Sequence, residues 1–165
     1  MKGSYVKNGP SQKRFGTENR WYSHYFDSWA KLNKITFTEE GEALFSGRMV
    51  ETANYVKCRE ADKLVPTVTV GGVLPNDWNL WETAEGVKNL YDNTNVLMWR
   101  LGSAENGSYI ATTDYPLVHY INPDTLAVTG VNTPPVIGGL SLTTGSHWIR
   151  EIGKAWIVEK RISPS

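Results

Sequence analysis

At 165 residues, with 40% hydrophobic and 12% aromatic content, the chain has the length of one ordinary domain and ample material for a packed core, which excludes a disordered polymer. Seventeen Lys plus Arg balance seventeen Asp plus Glu, so no strong field draws nucleic-acid phosphates or an anionic membrane surface, and nucleic acid is not an expected partner. The single cysteine, Cys58, excludes an internal disulfide framework and every multi-cysteine zinc site, and suits a reducing compartment, so the expected location is cytoplasmic.

Met1-Lys2-Gly3-Ser4-Tyr5 lacks the apolar core of a signal peptide, and no stretch approaches the roughly 18 uncharged apolar residues that span a bilayer, so no transmembrane segment is expected. Lys2 to Lys7 reads as a strand with no lead-in, the pattern expected of a chain cut from something longer. Lys31 to Phe37 and Glu42 to Val50 make a hairpin across Thr38-Glu39-Glu40-Gly41, with Gly41 where a positive φ is cheap. Val65 to Val70 reads as a third strand, stopped by Gly71-Gly72. One short helix follows: Asn76 or Asp77 caps it, Trp78, Trp81, Val87 and Leu90 give a loose apolar stripe, Gly86 weakens it, and Asn93 ends it.

Four short strands then come in quick succession, Val96 to Leu101, Ser108 to Thr113, Leu117 to Ile121 and Leu126 to Thr129. Their connectors, Asn106-Gly107, Asp114-Tyr115-Pro116 and Asn122-Pro123-Asp124, are turn sequences, so the strands make an antiparallel meander of the kind that builds a propeller blade. No fixed-period repeat accompanies it. After Gly130 the texture changes: Val131 to Gly139 reads as a loop, and Trp148 to Ile162 holds one or two strands. The fold class is mainly β.

Spacing alone gives no active site. Of the three histidines, His24 lies in an aromatic cluster and His119 among apolar strand residues; a packed or surface role fits both, and none of the three sits in a metal-ligand spacing. The carboxylates fall at turns or exposed ends, no nucleophile elbow surrounds a serine, and Gly71-Gly72 is no phosphate loop. Asn106-Gly107-Ser108 matches a glycosylation acceptor, but its tight-turn reading is the stronger one. The Trp and Tyr residues suit a sugar platform as well as a β core, which keeps an aromatic-rich carbohydrate-binding domain as a third reading.

Several stretches, in order, resemble landmarks of the carotenoid cleavage oxygenase family. Lys2 to Pro10 is similar to the family's opening strand, which ends in Arg-Asn-Gly-Pro. His24 to Phe37 is similar to the signature His-x-Phe-Asp-Gly-x-Ala-x-Leu-His-x-Phe-x-Phe, with Ser28 in place of the glycine and Asn33 in place of the second histidine. Ser46 to Tyr55 resembles the next strand, and Val87 to Tyr91 with Thr94-Asn95-Val96 continues the series. Thr113-Asp114-Tyr115-Pro116 and Asn122-Pro123-Asp124-Thr125-Leu126 look like Thr-Glu-x-Pro followed by Asn/Asp-Pro-Glu-Thr-Leu.

The resemblance implies the first two to three blades of a seven-bladed β-propeller over residues 1–131, with 132–165 a divergent, non-homologous tail. In the family, four histidines bind Fe2+ and a hydrophobic tunnel presents a carotenoid or other polyene for cleavage of a double bond with O₂. Outer carboxylates orient the imidazoles. Asp114 falls at one such carboxylate, one methylene shorter, and equally suits capping of the turn before Pro116. His147 stands nearest the family's first iron ligand, without the His-Pro-His run around it; the other three ligands would lie beyond Ser165. The expectation is therefore a truncated iron(II)-dependent dioxygenase, inactive alone, with no catalytic residue assigned in this chain. The alternative is a non-catalytic short variant that binds a polyene or a full-length homologue. Peripheral membrane contact is left open.

Overall fold

The computed structural model describes residues 3–89, 91–101, 108–113 and 117–132. In chain order its elements are β1 (Gly3–Pro10), β2 (Trp21–Tyr22), a 3-10 turn (Tyr25–Asp27), β3 (Ala30–Phe37), β4 (Ala43–Met49), α1 (Ala53–Ala61) and β5 (Val73–Leu74). They continue with α2 (Leu80–Lys88), β6 (Leu97–Leu101), β7 (Ser108–Thr112), β8 (Val118–Ile121) and β9 (Val128–Asn132). The described residues are mainly β. Among the described residues three antiparallel sheets form, ordered β1-β3-β4, β2-β5 and β6-β7-β8-β9.

The expected hairpin is present as β3 and β4, with Gly41 at φ +86° in its turn and Thr38 exchanging backbone bonds with Gly41 and Glu42. Strand alternation sets what each face does. Val6 and Leu32 lie on the face turned toward the four-stranded sheet, in a core with Ala30, Val50, Ala111, Ile121 and Leu126. On the opposite face, Tyr5, Ile35 and Phe45 stand in line across β1, β3 and β4, and Tyr5 and Phe45 are 58% and 68% exposed.

A second core gathers Phe15, Tyr22, Trp29, Tyr55, Cys58, Leu64 and Val73. Trp29 meets Phe15, Tyr22 and Tyr55 edge-on, with ring centroids 5.8, 5.4 and 5.6 Å away. Cys58, at its centre, accepts a hydrogen bond from the Val65 N–H at 3.3 Å, and burial lifts its thiol pKa from 9.0 to about 11. A thiol reagent at pH 8 is therefore expected to label the folded chain more than about tenfold more slowly than the urea-unfolded chain. Because the folded value lies above the unfolded one, the associated stability is intact below about pH 9 and lost as pH rises toward 11. Equal labelling rates in the two states would refute this.

Three expectations are corrected. Val65–Val70 is not a strand: the Val70 N–H is taken by Asp27, the Pro66 carbonyl by Asn89 Nδ2, and the Thr67 hydroxyl donates to the Asn89 carbonyl, so side chains serve a segment that pairs with no strand. The single helix becomes two among the described residues. The first, α1, escaped notice because it is polar nearly all round and buries only Asn54, Tyr55 and Cys58; Thr52 caps it through a bond from the Tyr55 N–H. The second, α2, is capped by Asn79, not Asn76 or Asp77, through a reciprocal box with Glu82, and it stops at Lys88. Of the expected stripe, Trp78, just ahead of the helix, packs half-buried against the aromatic core, whereas Trp81 and Val87 are 86% and 69% exposed; within the helix Gly86 is the buried residue, where a Cβ would lie 3.3 Å from Pro66.

The last strand is also shifted, to Val128–Asn132. Leu126 takes a left-handed turn, φ 57°, and drops its side chain into the core, while Asn122 Oδ1 accepts the Asp124 and Thr125 N–H groups, both at 2.9 Å. Among the described residues no helix is long and apolar enough to cross a membrane.

Candidate functional site

The segment Asp92-Asn93-Thr94-Asn95, which leads into β6, is four polar residues long and wholly buried. Buried polar groups are tolerated where they are hydrogen-bonded, and here most of the capacity is used to lash the two halves together. Asn93 accepts from the Ala30 N–H at 2.9 Å and donates to the Ser28 carbonyl at 2.7 Å and the Tyr91 hydroxyl at 3.0 Å. Asn95 donates to the carbonyls of Phe26 and Ser28 at 2.7 and 2.8 Å. From β1, Asn8 donates to the carbonyls of Thr94 and Leu97.

The signature stretch on the other side of this seam is structural in the same way. Asp27 is fully buried and its two carboxylate oxygens accept the N–H groups of Val70 and Gly71, each at 2.8 Å, fixing the loop that precedes β5. Ser28 sits at φ −63°, an ordinary conformation for an L residue, so the backbone there does not demand glycine. Asn33 is half-buried on β3 opposite Gly47.

His119, on β8, and Asp92 border one cavity of about 330 Å³. His119 is 1% exposed; its Nδ1 lies 3.3 Å from the Thr94 hydroxyl and its Nε2 has no partner among the described residues. Burial holds its pKa below the ordinary value, partly opposed by the charge of Asp92, so the ring is neutral at pH 7. Asp92 is 7% exposed; one carboxylate oxygen accepts the Asn54 N–H at 3.0 Å and the other, Oδ1, has no partner among the described residues. His24, by contrast, is exposed on the 3-10 turn, where its Nδ1 accepts the Phe26 N–H. The surface and packed readings of the two histidines thus describe His24 and His119 respectively.

Asp114 and His147 both lie outside the described residues, as does the Asn106-Gly107 turn. Thr112 and Thr113, just before Asp114, are buried. Asp92 and His119 were not joined by the sequence reading, since 27 positions separate them and neither belongs to a ligand motif; the unbroken polar run before a strand was the available signal. Among the described residues no group of three or more His, Cys, Asp or Glu side chains is placed to hold a metal ion.

A model of the family described as retinal pigment epithelial membrane protein matches residues 1–151, running past Val131 into the tail. The carotenoid isomerooxygenase of Galleria mellonella is 24% identical over 131 residues, 76% of this chain and 24% of the relative. That of Drosophila melanogaster is 25% identical over 154 residues, 88% of this chain and 23% of the relative. The chain spans about a quarter of the length of these relatives. A solved mutant of the Synechocystis apocarotenoid oxygenase superposes with a TM-score of 0.67 at 22% identity, covering 80% of this chain and 26% of that one. Its cobalt-substituted form gives 0.64 at 21% over 80% and 26%. At such identities the likeness is one of fold.

Proposed function

The chain belongs to the retinal pigment epithelial membrane protein family, the family of the carotenoid cleavage oxygenases, and from that premise we propose that it supplies the first two to three blades of a seven-bladed propeller. The propeller is that of an iron(II)-dependent dioxygenase, which splits a double bond of a carotenoid or related polyene with O₂. The observation that carries this reading is the β6-β7-β8-β9 meander packed against a second antiparallel sheet and fastened to it by a buried polar seam, because that is the relation of one blade to the next.

The described residues do not fit the iron. The family's site needs four imidazoles, and the chain has three: His24 is on the surface, His119 is packed against Thr94, and His147 is the remaining one. On this reading Asp114 is the carboxylate offered to a ligand imidazole and His147 takes the place of the first ligand. One imidazole in place leaves a ferrous ion weakly held. No step of the oxygenation is therefore assigned to this chain's own side chains.

The purified 165-residue chain, supplied with Fe(II) and washed, is expected to retain well under one equivalent of iron by elemental analysis, and to form no aldehyde product from β-carotene in air. Stoichiometric iron together with an apocarotenal product would overturn this assignment.

A further inference from the structure

Helix α2 turns its apolar stripe to water. Leu80, Ala84 and Val87 recur at the i, i+4, i+7 spacing with Trp81 beside Leu80, and all four are exposed, Leu80 to 86%. Single exposed apolar side chains are ordinary, but a continuous stripe of them on one helix marks an interaction surface. The opposite side of the helix is what the fold holds. Glu82 closes the capping box with Asn79 and lies 3.9 Å from Arg20, which stacks 4.0 Å over Trp78 and donates to Asp77 at 2.8 Å. At the other end Gly86 sits against Pro66, and Asn89, just past the helix, donates to the Pro66 carbonyl at 2.8 Å and accepts from Lys57 at 3.1 Å. Rolling the stripe inward would break the contacts at both ends, so the outward face is fixed and already ordered before a partner arrives.

Charge and size choose the occupant. Glu82 and Glu85 of α2 are acidic and only Lys88 is basic, the reverse of the Lys/Arg-rich polar face that lays a helix into a membrane surface. Asp77 and Glu82 stand at the N-terminal end of the helix, Lys88 and Lys57 at its C-terminal end. Two such helices laid antiparallel set each basic end beside the other's acidic end, whereas parallel ones bring Lys88 to Lys88. Leu80, Trp81 and Val87 expose roughly 450 Å² per copy, so a pair buries on the order of 900 Å², the scale of a weak, reversible dimer.

We propose that α2 is a self-association site, at which a second copy of this chain packs its own α2 antiparallel about a two-fold axis. Centred on Ala84, whose small side chain lets the helix axes approach to about 8–10 Å, the pairing faces Leu80 with the second copy's Val87 and Lys88 with its Trp81 ring. Pairing needs neither iron nor a polyene, and its failure would leave the family reading where it stands.

Sedimentation equilibrium of the whole chain is expected to show monomer and dimer in exchange, with half-association on the order of 10⁻⁴ M. Cross-linking reads the geometry. Under mild oxidation Ala84→Cys chains should join to each other through position 84, and a mixture of Leu80→Cys and Val87→Cys chains should cross-link to each other at least several-fold more than to their own kind. Cys58 is buried and does not compete. Trp81→Glu, added to the Ala84→Cys chain, should reduce its cross-linking at least about tenfold while the urea midpoint stays put, because Trp81 serves the surface and not the core. These bonds form at α2 alone, so contacts elsewhere on the chain do not mimic them. A chain monomeric at all concentrations, Leu80→Cys and Val87→Cys chains that join mainly to their own kind, cross-linking indifferent to Trp81→Glu, or binding of the chain to phosphatidylcholine vesicles with no dimer in solution would each overturn the proposal.

Discussion

Replacing Trp29 with alanine is expected to destabilise the chain by about 4 kcal/mol, which is a large share of what a domain of this size has to lose. Trp29 is 1% exposed, and three aromatic rings pack edge-on against it from three different parts of the chain, Phe15, Tyr22 and Tyr55. Truncation removes the largest side chain of that core and leaves a cavity its rigid neighbours cannot close. Urea unfolding followed by far-ultraviolet dichroism measures the loss. Trp29→Phe should recover more than half of it, because a smaller ring keeps some edge contacts, and because the indole N–H of Trp29 has no partner among the described residues to forfeit. A loss below about 1.5 kcal/mol for the alanine variant would mean that this core does not form as described.

Asn93→Ala is expected to cost about 3 kcal/mol, and Asn95→Ala only about 1. Both side chains are buried and both tie the seam, so a count of hydrogen bonds would rank them nearly equal. The difference lies in what is left behind. Asn95 donates to the Ser28 and Phe26 carbonyls, which also receive Asn93 Nδ2 and the Tyr91 hydroxyl respectively. Asn93 alone supplies the side-chain acceptor for the Ala30 N–H, and its removal strands that donor at the start of β3. Urea titrations of the two variants side by side settle the order, and a reversed order would show that the seam is held through Ser28 and not through Ala30.

Much of the sheet structure was legible because strand signals and turn signals agreed. The β3–β4 hairpin followed from alternation and from Gly41, and the meander from three turn sequences between short apolar runs. What failed did so where side chains replace backbone partners. Val65–Val70 has the composition of a strand, but Asp27 and Asn89 capture its polar groups from 43 and 23 residues away, distances at which no local pattern speaks. Helix α1 was invisible for the opposite reason: it carries almost no apolar stripe, and only its Thr52 cap and three buried residues mark it.

The candidate site was less legible than the fold. The family resemblance pointed to Asp114 and His147, which lie outside the described residues; within them, Asp92, Thr94 and His119 come together. His119 looked like any histidine in an apolar strand, and its unpaired nitrogen is a property of the space around it. The Asp92–Asn95 run carried a signal, since four consecutive polar residues ahead of a strand must be either solvated or fully bonded, but composition cannot say which.

The line of Tyr5, Ile35 and Phe45 across the three-stranded sheet has a practical corollary. It presents water with a greasy plane ending in β4, a strand whose outer rim pairs with nothing among the described residues. Such a rim is a template on which further chains stack, so purified material should crowd into oligomers as its concentration climbs. Dilution, or a lysine set into that plane at position 45, should disperse them.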